Sequence, residues 1–66
     1  MSQSMDEKVI MELAEEFRNL GIRAKEEGKA STEMLINMAD DIQTMPDQAE
    51  RLLKQHNATL HKLLGD

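Results

Sequence analysis

The chain is expected to be all-α, a small three-helix domain assembling as a homodimeric helical bundle. Three observations predict this. Apolar residues recur at steps of three and four along nearly all of the 66 residues, the spacing that puts them on one side of a helix. The single proline and the three glycines fall where helices would start, stop or touch. Cysteine is absent, so a chain this short must be held by regular helix packing or by oligomerisation.

The first helix is expected over about 5–27, with Ile10, Leu13, Phe17, Leu20 and Ala24 as its stripe. Ser4 is placed to cap it, with Glu7 three residues later in capping-box spacing. Asp6 and Glu7 lie in the first turn, where the helix dipole favours negative charge. Gly28 can supply the left-handed residue that ends the helix. Gly21 costs about 1 kcal/mol relative to alanine inside a helix. It flanks the stripe, which would let another helix approach closely.

Lys29-Ala30-Ser31 reads as a short turn, after which Ser31 or Thr32 caps a second helix over 32–44. Its stripe is Leu35, Met38 and Ile42, with Met45 one step beyond. Pro46 disfavours helical geometry in the residue before it and suits the first turn of a new helix. A third helix is therefore expected over 46–64, carrying Ala49, Leu52, Leu53, Leu60, Leu63 and Leu64 and closed by Gly65. Asp47–Arg51 and Glu50–Lys54 stand in the favourable orientation for pairing along it. A proline here also permits one long kinked helix, which would make the molecule a two-helix hairpin. The whole of 1–66 is read as one domain, with Ile10, Leu13, Phe17, Leu20, Leu35, Met38, Ile42, Leu53, Leu60 and Leu63 as its core.

Charge alternates in blocks: residues 1–16 are net acidic, 17–30 basic, 31–50 acidic and 51–66 basic. Folding back at Lys29–Ser31 would bring Arg18, Arg23, Lys25 and Lys29 near Glu33, Asp40 and Asp41. Exposed pairs are worth only about 0–1 kcal/mol each, enough to favour the antiparallel arrangement. Leu, Ile, Val and Phe make up 14 of the 66 residues, a lean supply for a monomer. The sharing of a core between two copies follows from that.

The formal net charge of −5 argues against general affinity for nucleic acid or an anionic membrane. No stretch approaches the roughly 20 apolar residues of a membrane span. The first residues lack the basic and apolar regions of an export signal, so the cytoplasm is the expected compartment. Asn57-Ala58-Thr59 matches a glycosylation sequon but falls within the third helix.

No cofactor or metal is expected. His56 and His61, the strongest nitrogen ligands, point about 140° apart on a helix. The serines sit at the terminus or at caps, and neither histidine has a carboxylate three or four residues away on its own helix. The molecule is therefore not expected to be an enzyme. His56 falls between Leu53 and Leu60, where a polar group can fix register or lie at the seam's edge and reach water. Met34, Met38 and Met45 share one side of the second helix, as core filling or as an adaptable groove.

More telling are the apolar residues off the stripes. Met11, Ile22 and Ile36 miss the seams, and with Met34 they form the expected interface for a second copy or a larger protein partner. The function expected is that of a small non-enzymatic regulator acting by helix docking, of the size and build of phage, plasmid or bacterial accessory proteins. The alternative is a dimeric RNA- or DNA-binding regulator using Arg18, Lys25, Lys29, Arg51, Lys54 and Lys62. Helical-hairpin dimers of plasmid copy control offer a likeness of shape for that alternative.

Overall fold

A computed structural model describes residues 7–65 and shows three helices. Helix α1 spans Glu7–Glu26 and α2 spans Thr32–Thr44. A 3₁₀ turn at Pro46–Gln48 leads into α3, Ala49–Leu64. Ser4 and Asp6, the expected start of the first helix, lie outside the described residues.

The punctuation follows from local chemistry. Gly28 adopts φ +73°, and its N–H donates to the Lys25 carbonyl while Lys29 N–H donates to that of Ala24 at 2.8 Å. These two bonds are the Schellman pattern, which satisfies carbonyls that the helix end would orphan. Ser31 caps α2, its Oγ accepting from Met34 N–H at 3.0 Å. At Met45 the backbone turns to φ −123°, ψ 71°, ending α2 before Pro46. The chain then restarts as a separate helix, so the kinked two-helix reading does not hold. Gly65, at φ +84°, closes α3.

Contacts between named residues define the topology. Glu16 meets Asn57 and Phe17 meets His56, while Leu20 and Ala24 pack with Leu60 and Leu64. Both numbers rise together, so α1 and α3 run parallel. Helix α2 returns antiparallel to both, packed mainly on α3: Leu35 lies against Gly21 and Asp41 against His56. At Gly21 an added Cβ would stand 3.1 Å from Leu35 Cδ2, so the glycine takes the side chain of one residue of α2.

The buried apolar residues are Leu20, Ala24, Met38, Leu52, Leu53, Leu60 and Leu64. Of the expected core, Ile10, Leu13, Phe17, Leu35 and Ile42 are only partly covered. Leu63 is a correction: it is 38 % exposed. Leu60 and Leu64, one turn apart, take the inward direction of α3 and turn Leu63 to the flank. Met38 fills core, Met34 is half-buried and Met45 is exposed, so the three methionines do not form a single lining.

Candidate functional site: the outer face of α1 and α2

Helix geometry fixes where the off-stripe residues stand. On α1, Leu20 and Ala24 point toward α3 while Gly21 points toward α2. At roughly 100° per residue, Met11 and Ile22 then fall about 90° beyond the α2 direction, on the side away from α3. On α2, Leu35 faces α1 and Asp41 faces α3. The same rotation carries Ile36 about 100° past Leu35, again to the side away from α3. Met11, Ile22 and Ile36 therefore share one outer face made by α1 and α2, and they are 70, 51 and 55 % exposed.

Met34 does not join them. Two positions from Ile36, it is turned about 160° away on the helix and is half-buried on the α3 side. Sequence spacing alone could have separated the two, since residues two apart on a helix do not share a face.

The charged residues around the apolar ones are acidic on α2 and of both signs on α1, where Glu15 and Glu26 also stand beside Met11 and Ile22. Arg18 and Lys25 flank Ile22 on α1, and Glu33 and Asp40 flank Ile36 on α2. Helix α2 carries no basic residue. The expected crossing of charges at the turn is not what forms. Lys29 pairs with Glu27 at 3.6 Å, Arg23 pairs with Glu27 at 3.3 Å, and Asp41 faces His56. Among the described residues Arg18, Lys25, Glu33 and Asp40 enter no ion pair. Of the pairs expected along α3, Glu50–Lys54 closes at 3.4 Å.

The second set of basic residues lies elsewhere. Arg51, Lys54 and Lys62 point away from the Leu53–Leu60–Leu64 seam, on the solvent side of α3. Arg18 and Lys25 belong to the α1–α2 face. Within one copy the two strips are separate, and Lys54 and Lys29 are already engaged by carboxylates.

Behind this face the interior holds two polar residues. Asn57 is 5 % exposed and donates from Nδ2 to Glu16 Oε1 at 3.0 Å. That burial also removes the sequon's asparagine from the surface. His56, with its side chain 13 % exposed, lies 3.6 Å from the Asp41 carboxylate, longer than a hydrogen bond. Its ring sits 6.1 Å from that of Phe17, tilted by 43°, within the range of favourable aromatic pairs. His56 is thus turned inward rather than reaching water at the seam's edge. The carboxylate missing from its own helix is supplied by α2, something spacing along α3 could not show.

Surface depressions are shallow and local. One is lined by Glu7, Lys8, Met11, Glu12, Ala14, Glu15 and Arg18, all on α1. Another is lined by residues of the 3₁₀ turn and the start of α3. Among the described residues no group of three or more His, Cys, Asp or Glu is placed to hold a metal ion, and no helix is long and apolar enough to cross a membrane. Neither a protein-family model nor a curated protein nor a solved structure matches the chain.

Proposed function

We propose that the protein is a small, non-enzymatic regulator that works by helix docking, through the outer face of α1 and α2. The observation that carries this reading is the placement of exposed Met11, Ile22 and Ile36 on that one face. Scattered exposed apolar residues need no explanation. Three large ones sharing one face of so small a domain, ringed by charge, have the anatomy of an interface, with apolar anchors inside a polar rim. An apolar face spanning two helices suits an added helix, which would extend the packing rules already used in the bundle.

Replacing Ile22 and Ile36 together with aspartate tests it. Both side chains are more than half exposed, so helicity by circular dichroism should be retained. Association with a second copy or with a protein partner should be lost. Retained association by a folded double variant would overturn the proposal.

A further inference from the structure

Resting on that docking reading, we infer that the α1–α2 face takes a second copy of this chain, related by a two-fold axis parallel to the helices. The charge pattern around the two isoleucines names the occupant. Arg18 stands four residues before Ile22 and Lys25 three after it. Asp40 stands four residues after Ile36 and Glu33 three before it. Helices α1 and α2 are antiparallel, and the contact of Gly21 with Leu35 sets Ile22 and Ile36 within about 3 Å of one level along the axis. Arg18 and Lys25 thus match Asp40 and Glu33 in spacing read in opposite directions with the signs inverted, while Glu15 and Glu26 on the same side of α1 correspond to the uncharged Gln43 and Thr32.

A two-fold axis lying in the face along the helix direction places α1 of one copy on α2 of the other. Ile22 then lies over the Ile36 of the second copy, Arg18 meets its Asp40, and Lys25 meets its Glu33. The operation repeats each contact, as an isologous interface requires. An axis across the helices would instead set α1 on α1 and α2 on α2. The acids of α2, which has no basic residue, would then oppose one another. Within a single copy all four charged residues are exposed and enter no ion pair among the described residues. They are thus available for partners in the second copy.

Charge-swapped variants test the inference. One carries Arg18→Glu and Lys25→Glu; the other carries Glu33→Lys and Asp40→Lys. Each should be folded but monomeric, because like charges oppose each other in either homodimer. Mixed, they should form a heterodimer in sedimentation, because every contact then joins opposite signs. A second measurement does not depend on those variants folding. The chain has no cysteine, so Ile22→Cys and Ile36→Cys proteins report cleanly on proximity between copies. Oxidised together, they should cross-link at least tenfold faster than either does alone.

A mixture of charge-swapped variants that remains monomeric, or cysteine cross-linking with no preference for the mixed pair, would overturn the inference. A wild-type monomer at all concentrations would do the same. If it nevertheless binds a larger protein and loses it on the Ile22→Asp, Ile36→Asp change, the docking reading stands and only the second copy is rejected.

Discussion

Asn57 of α3 donates its side-chain amide to Glu16 of α1 at 3.0 Å, and this bond ties together two helices that are far apart in sequence yet parallel in space. The amide is buried among leucines, and its Oδ1 has no hydrogen-bond partner among the described residues. A buried polar atom left in this state costs about 1–3 kcal/mol. What the bond supplies is position: it fixes which turn of α1 stands beside which turn of α3, as a polar residue in an apolar seam can.

Replacing Asn57 with leucine should therefore stabilise the monomer fold. The orphaned acceptor disappears, apolar contact with the neighbouring leucines grows, and exposed Glu16 returns to water at little cost. A gain of about 1 kcal/mol would raise the thermal midpoint by about 4–8 °C in a domain of this size. A lower midpoint with unchanged helicity would show that the amide bond outweighs its burial.

Gly21 offers a second test, because two effects of similar size oppose each other there. Alanine would improve helix propensity by about 1 kcal/mol. Its methyl would stand 3.1 Å from Leu35 Cδ2, but that atom is the end of a rotatable side chain that is only partly buried. Gly21→Ala should raise stability by less than about 1 kcal/mol. Gly21→Val adds branches that one leucine rotamer cannot evade, and should lower stability by about 1–3 kcal/mol as an overpacked site does. Chemical denaturation of both proteins checks the contrast; equal effects would mean that α2 is not held against α1 at this point.

Ser31 provides a purely local prediction. Its hydroxyl satisfies Met34 N–H at the start of α2, so Ser31→Ala should cost about 1 kcal/mol. Ser31→Asp should restore most of that, because aspartate caps equally well and adds charge favourable to the helix dipole. Failure of aspartate to rescue would show that α2 is held by tertiary packing alone.

The helices were legible because their signals are local. Stripe spacing, the Ser31 cap, the left-handed glycines and Pro46 each act within a few residues of themselves, and each works as expected. Register between helices is not local, and spacing along one helix does not carry it. Nothing along α3 announces that Asn57 will meet Glu16 or that His56 will find Asp41, since those partners lie on other helices. The apolar positions off the stripes were visible as a set, yet only the contacts of Gly21 with Leu35 and of Asp41 with His56 put Ile22 and Ile36 on one face. Met34, two positions from Ile36, falls on the opposite side of α2 by spacing alone.

Leu60 and Leu63 look alike from spacing, and the structure separates them: Leu60 is fully buried and Leu63 is 38 % exposed. Leu60 packs in the cluster with Leu20, Ala24 and Leu64, so Leu60→Ala should cost about 2–5 kcal/mol, the usual range for a buried leucine. In a domain this small that is enough to leave much of the population unfolded at room temperature. Leu63→Ala removes side-chain surface that is already partly in water and should cost less than about 1 kcal/mol. Denaturant unfolding at several protein concentrations checks both. A penalty at Leu63 that approaches the one at Leu60, and grows with concentration, would mean that assembly covers the flank of α3 rather than the face carrying Ile22 and Ile36.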